Sequence, residues 1–179
     1  MNILYIATRP ALPITTGDRV IVYNRLKQLH KKHDISLIFF YQNDNELDGM
    51  DEVYGFCKKT WAFKRSKISS IIGVLINFLF SHDPIQTLFY KSRSINKKIR
   101  GIIRDNDFDL INVFLIRGLP YTYNSNVPVI LDMIDSMQLN FLRRYQNADN
   151  YVLKKIYELE LGRVVRYENN LPNNVIKTL

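Results

Sequence analysis

Cysteine is almost missing from these 179 residues, and the single thiol, Cys57, can neither close an intramolecular disulfide nor anchor a cysteine metal cluster. Histidine is scarce too: His30, His33 and His82 are the three present, none at ligand spacing from Cys57, so no metal site is expected. No charged-then-apolar leader precedes the first apolar run, and the expected compartment is a reducing cytoplasm. The longest apolar stretch, 71–80, has about ten residues, well short of the roughly 20 a membrane-spanning helix requires. A Gly-x-Gly-x-x-Gly dinucleotide fingerprint and a Gly-x-Ser-x-Gly nucleophile elbow are both missing. Acidic side chains are the minority, 17 against 25 Lys and Arg, which leaves a formal net charge of +8 and calls for an anionic partner.

What is present is a globular composition, 46% apolar, in a length suited to one domain spanning 1–179. Short apolar runs at 2–8, 34–40, 52–63, 109–115 and 127–132 read as strands. Helical patterns occupy 18–31, 66–80, 84–104, 136–147 and 150–169. Strands alternating with helices predict an α/β fold, a parallel sheet with helices on both faces. Between the first strand and the first helix lies Pro10-Ala-Leu-Pro-Ile-Thr-Thr-Gly-Asp-Arg19, with two prolines and Gly17. Backbone amides at the start of that helix, with the positive end of its dipole, suit an anion such as a nucleotide diphosphate. An ordinary βα connection that binds nothing carries the same signature.

Basic residues flank the apolar run, with Lys58, Lys59, Lys64, Arg65 and Lys67 before it and Lys91, Arg93, Lys97, Lys98, Arg100 and Arg104 after it. Peripheral attachment to an anionic membrane surface fits that pattern. So does a buried core helix ringed by solvated lysines, and an apolar character on every side of 71–80 favours burial. The basic residues are not interleaved with aromatics in a nucleic-acid motif, so no nucleic-acid partner is expected.

The segments Pro10-x-x-Pro13, Thr16-Gly17-Asp18-Arg19, Tyr23-Asn24 and Leu29-x-x-x-His33-Asp34-Ile-Ser-Leu-Ile38 together resemble the N-terminus of family-4-type retaining glycosyltransferases of the GT-B fold. The likeness continues through Val127-Pro-Val-Ile-Leu-Asp-Met-Ile-Asp-Ser136, Tyr157-Glu-x-Glu160 and Arg166-Tyr-Glu168. It implies a Rossmann-like, acceptor-side N-terminal half, with the donor-binding domain outside this chain. The implied reaction transfers a sugar from a nucleotide-sugar to a lipid-linked or polysaccharide acceptor, with no cofactor beyond the donor substrate. A second domain or partner subunit would complete the site. The alternative is a non-catalytic binding or regulatory module built on the same half-fold.

By the same resemblance Thr16 and Gly17 face the leaving diphosphate, with Asp18 and Arg19 ordering the turn. Arg117 and Gly118 occupy the loop after the fourth strand, where retaining relatives often carry a histidine, and Asp135 and Ser136 border the cleft. Arg117 could hold a phosphate or a carboxylate but, always protonated, cannot act as a base. Asp135 and Ser136, close behind Asp132, are also natural caps for the next helix. Glu160 and Glu168 have the Glu-x7-Glu spacing of the family, but on an N-terminal-domain helix without the accompanying Gly-rich loop. They read instead, with Glu158, as helix-face salt bridges to Lys154, Lys155, Arg163 and Arg166. No catalytic residue is assigned.

Overall fold

In the computed structural model, residues 1–78, 81–123, 125–134 and 136–179 are described. Six strands, β1 (Asn2–Ala7), β2 (Asp34–Tyr41), β3 (Lys59–Lys64), β4 (Leu110–Phe114), β5 (Val129–Asp132) and β6 (Val175–Thr178), form one sheet in the order β3-β2-β1-β4-β5-β6. Every pairing is parallel, with Tyr5 of β1 beside Leu37 of β2 and Asn112 of β4. This is the doubly wound Rossmann order, in which the chain reverses its direction of travel across the sheet between β1 and β4.

A sheet covered on both faces needs apolar residues at successive positions, and the central strands supply them. Leu4, Ile6, Ile38, Phe40, Ile111 and Val113 point to one side, where they meet Ile99 and Ile103 of α5 (Arg93–Arg104) and Tyr167 of α7 (Tyr151–Asn169). Ile3, Tyr5, Ile35, Leu37 and Phe39 point to the other, against Val22 and Leu26 of α1 (Gly17–Leu29) and Met50 and Val53 of α2 (Met50–Phe56). Each such side chain, fully buried, is worth about 1.5–3 kcal/mol relative to exposure.

Three segments differ from the sequence reading. The strand expected over 52–63 is a helix followed by a shorter strand: Gly49, at φ +78°, turns the chain into α2, whose Met50 and Val53 have helical spacing, and β3 starts only at Lys59. The helix expected over 84–104 is two helices, α4 (Ile85–Tyr90) and α5, because Ser92 leaves helical geometry and its hydroxyl accepts from the Ile95 amide at 3.5 Å to cap α5. The short tail 175–179, to which the sequence reading gave no element, supplies β6 at the sheet edge.

The apolar run forms α3 (Lys67–Phe78), but the favoured burial is not what it adopts. Ile68, Ile71, Leu75 and Ile76 are 52–71% exposed, and among the described residues the helix packs mainly against α4. Positions 79 and 80 of that run lie outside the described residues. The far end of α3 is held by Arg163 of α7, whose guanidinium stacks 4.0 Å from the Phe78 ring and donates to the Phe78 carbonyl at 2.8 Å.

Glu160, expected on a solvated helix face, is 2% exposed. One carboxylate oxygen accepts from Arg163 at 3.1 Å and the other from the Ile85 amide at 2.9 Å, tying α7 to the start of α4. Glu158 does form the exposed pair foreseen for it, with Lys155 at 2.7 Å. Glu168 pairs with no base among the described residues, and burial pushes its carboxyl above the usual range despite a hydrogen bond from Gln138.

Candidate functional site

Parallel strands direct all their carboxyl ends to one edge, and at the β1/β4 reversal the loops diverge and leave a crevice there. A cavity of about 490 Å³ opens at that edge. Thr8 and Arg9 after β1, Phe40, Tyr41 and Gln42 at the end of β2, Arg65 after β3, and Arg117 after β4 all line it, and Phe89 and Tyr90 of α4 close it over. Its charged lining is four arginines, Arg9, Arg19, Arg65 and Arg117, against one carboxylate, Glu46.

The turn between β1 and α1 is built from polar contacts. Thr16, the N-cap residue, does not cap the helix amides, and its hydroxyl donates instead to the Asp18 carboxylate. Arg9 lies 3.8 Å from the other Asp18 oxygen. Burial alone would raise the Asp18 carboxyl, but the Thr16 hydroxyl, Arg9, the Arg19 amide and Arg117 together hold it below its ordinary value. Arg19, 9% exposed, donates to the Pro13 carbonyl at 3.0 Å and approaches Glu46 at 3.9 Å, while its Nε has no hydrogen-bond partner among the described residues. Gly17 has no positive φ, and a Cβ placed on it would meet nothing within 4 Å. Neither backbone nor packing within this domain therefore requires a glycine at that position.

Glu46 is itself occupied. It reaches back to the amides of Gln42 at 3.2 Å and Asn43 at 3.0 Å and so closes the turn Asp44–Leu47 after β2.

The turn after β4 is built from packing and strain. Leu115 has φ +69°, a conformation that branched side chains rarely adopt. Ile116 and Gly118 on either side of Arg117 are buried, and a Cβ on Gly118 would stand 3.0 Å from Val113 Cγ1 and 3.6 Å from Ile6 Cγ2. Arg117 is the residue of this turn that reaches the cavity, with its Cζ 5.5 Å from the Tyr90 ring centroid.

Arg65 does not belong to the solvated basic flank in which its sequence neighbours put it. It is 6% exposed, its Cζ lies 4.4 Å from the Tyr90 ring and 5.3 Å from that of Phe89, and it donates to the Phe89 carbonyl. Burial lowers its pKa, although an arginine stays protonated across the working range. Tyr121 completes this wall: its hydroxyl donates to the Tyr90 carbonyl, and burial pushes it up to about 12.

Of the residues singled out by sequence, Arg19 and Arg117 meet in this cavity. Thr16, Gly17 and Asp18 form the turn behind it, and Gly118 lies beneath it as a packing contact. Ser136 caps α6 (Met137–Gln146), accepting from the Leu139 amide at 3.2 Å. Asp135 lies outside the described residues. Asp132, 2% exposed, is engaged by Arg25 of α1. His30 stacks on Phe56 with ring centroids 4.7 Å apart, and His33 precedes β2 at the opposite edge of the sheet. Arg9, Arg65, Phe89 and Tyr90 were not foreseen. For Arg9 the available signal was position, two residues past β1; Arg65 is made part of the cavity by Phe89 and Tyr90 of α4, which no local pattern announces.

The cavity lining contains no histidine, cysteine or lysine. Among the described residues no group of three or more His, Cys, Asp or Glu is placed to hold a metal ion. Burial pushes the Cys57 thiol up to about 12, which leaves it unreactive. Among the described residues no helix is long and apolar enough to cross a membrane.

No family model matches this chain, and no curated protein matches it. A solved structure, a putative UDP-N-acetylglucosamine 2-epimerase from Listeria monocytogenes, superposes with a TM-score of 0.45 at 8% identity, over 94% of this chain and 43% of its own. The chain thus spans less than half the length of that protein, and a likeness so loose carries no functional argument. The sheet order and the arginine-lined cavity at its reversal point are what define the molecule: a Rossmann-like α/β domain.

Proposed function

We infer that this domain is the acceptor-side half of a GT-B, family-4-like glycosyltransferase, transferring sugar from a nucleotide-sugar to a glycan or lipid-linked acceptor once a donor-binding domain completes the site. The observation that carries the reading is the cavity at the β1/β4 reversal, lined by four arginines and one occupied carboxylate. A leaving diphosphate develops charge that guanidinium groups and helix amides stabilise without a metal. Arg9 and Arg19, beside the Thr16-Gly17 turn, are the groups that serve it, and Asp18 holds the turn in shape. No cofactor is needed beyond the donor.

The test is calorimetric. UDP should bind the chain and uridine should not, and Arg19→Gln should weaken UDP at least tenfold. The purified chain alone should transfer no sugar, because positioning the donor requires the second domain. Equal binding of UDP and uridine, or no binding of either, would remove the nucleotide-sugar reading.

A second reading, a non-catalytic binding module, is favoured by one observation: the single carboxylate in the cavity is committed to the Gln42 and Asn43 amides and to Arg19, so no free base faces the cavity among the described residues. Sugar transfer by the complete two-domain protein decides between them.

The exposed face of α3 extends the reading to peripheral attachment on an anionic membrane. Ile68, Ile71, Leu75 and Ile76 are open to solvent, and Lys64, Lys91 and Lys98 line a groove of about 690 Å³ that reaches Ser66 beside the first turn of α3. Apolar insertion and charge attraction then act together. Binding to phosphatidylglycerol vesicles should fall steeply with salt, whereas equal sedimentation with neutral vesicles would refute it.

A further inference from the structure

Beside the arginine-lined cavity, across Gln86 and Arg117, lies a smaller pocket of about 150 Å³. Leu115 and Ile116 of the turn after β4, Met133 after β5, and Met137 and Asn140 of α6 complete it. At ~30 Å³ of liquid volume per molecule it has room for about five waters, the scale of one small substituent and not of a nucleotide.

Its chemistry is the reverse of the larger cavity's. Among the described residues its lining holds no carboxylate and one charge, Arg117, which already acts on the Asp18 carboxylate and lies 5.5 Å from the Tyr90 ring centroid. The remaining lining is apolar except for two carboxamides, Gln86 and Asn140. An anion gains more among the four arginines next door, so the small pocket selects an uncharged group. No aromatic ring lines it, and a nucleobase has nothing there to stack on.

The two carboxamides are complementary in what they leave open. Asn140 Oδ1 accepts from Arg144 Nε at 3.2 Å, so the half of Asn140 left to a ligand is its amino group, a donor. The Gln86 carboxamide has no partner among the described residues and offers an acceptor. Between them the apolar wall is set by backbone contacts: the Met133 amide donates to the Leu179 carbonyl at 2.9 Å, the Leu115 amide to the Asp132 carbonyl at 2.8 Å, and Met137 opens α6 directly after its cap, Ser136. Thioethers placed in this way adapt to a methyl group without new strain. A secondary amide bearing a methyl group answers the lining part by part, its carbonyl accepting from Asn140, its N–H donating to Gln86 and its methyl packing on Met133 and Met137. A hydroxyl leaves the thioethers wet, and a carboxylate has no N–H for Gln86.

We propose that this pocket seats the acetamido group of an N-acetylhexosamine, so that the protein distinguishes acetamido sugars from plain hexoses. That the sugar is a substrate rests on the glycosyl-transfer reading above; the acetamido pocket does not.

The test titrates the 179-residue chain, followed by amide chemical shifts, with the methyl glycosides of N-acetylglucosamine, N-acetylgalactosamine, glucose, galactose and glucuronic acid. At least one acetamido glycoside should bind at least about tenfold tighter than its parent hexoside, since a site built for a hydrogen-bonding group rejects the analogue that lacks it. Asn140→Ala and Gln86→Ala, at exposed helix positions that tolerate alanine, should each remove most of that preference with an unchanged thermal midpoint. UDP binding should survive Asn140→Ala, because Asn140 does not line the larger cavity. A free acetamido glycoside that binds beside saturating UDP identifies the acceptor as the source of the group. UDP-N-acetylglucosamine binding more tightly than UDP, with the gain lost in Asn140→Ala, identifies the donor. If acetamido glycosides bind as expected and UDP does not, the nucleotide-sugar reading falls and the pocket stands. If UDP binds and no acetamido sugar does, free or carried on UDP, the proposal falls and the nucleotide-sugar reading stands. Equal binding of acetamido and parent glycosides, tighter binding of the glucuronide, or a preference untouched by Asn140→Ala and Gln86→Ala overturns the proposal.

Discussion

The turn after β1 and the turn after β4 do the same job by different physics. Both leave neighbouring strands at the reversal point of the sheet, and both deliver an arginine to one cavity. The first is held by charge and hydrogen bonds: Thr16 to Asp18, Arg9 to Asp18, Arg19 to the Pro13 carbonyl. The second is held by a strained Leu115 and by the close approach of Gly118 to Val113. Each contains a glycine, and the two glycines differ in kind. Gly17 has open space around its missing side chain, so nothing within this domain requires it; at Gly118 a Cβ would stand 3.0 Å from Val113 Cγ1, so any larger residue needs that side chain to give way.

That contrast is sharpest in a pair of substitutions. Gly118→Val inserts a branched side chain where even a Cβ is crowded, and overpacking of this sort costs about 1–3 kcal/mol, which should lower the thermal midpoint by roughly 3–10 °C. Gly17→Ala should leave the midpoint within about 1 °C of the parent or slightly above it, since alanine favours helix over glycine and meets no obstacle. If Gly17→Ala also weakens UDP, the loss is a ligand effect read without a stability artefact. A large destabilisation by Gly17→Ala, or none by Gly118→Val, would break the comparison.

Acid should separate the turns more gently. The Asp18 carboxyl is held below its ordinary pKa in the folded protein, so its contribution is present above the unfolded value and is lost as pH falls through the folded one. Below the ordinary carboxylate range the 10–19 turn should loosen, seen as faster amide exchange at Asp18 and Arg19. The 115–118 turn contains no titrating group of that kind and should keep its protection. Matching acid profiles for the two turns would show that charge is not what holds the first.

The sheet was legible where strands are apolar and bounded by clear breaks, as in β1, β2, β4 and β5. It was not legible at α2, where Met50 and Val53 serve a helix inside a segment whose later residues truly form a strand, nor at β6, a short edge strand with Ile176 and Lys177 exposed. In the cavity, Arg117 could be read because it follows a strand in a fold whose ligand edge is known in advance, and Arg19, in the first turn of α1, through the resemblance of the Thr16–Arg19 turn. Arg65 could not, because a lysine-rich neighbourhood disguised it as a surface charge. Its burial depends on Phe89 and Tyr90, 24 and 25 positions away, arriving from α4, and no local pattern announces that meeting. Glu160 misled for the same reason: i,i+3 spacing to Arg163 is real, but the Ile85 amide that makes the pair internal comes from another helix.

The seating of a diphosphate at the β1–α1 turn of the shared cavity is tested most directly by amide chemical-shift mapping of the isotope-labelled chain during titration with UDP. The expected result is a set of shifts centred on residues 8–9 and 17–19, saturating with a single dissociation constant. Shifts confined to the basic groove of α5 around Lys97 and Arg100, with both turns silent, would contradict it.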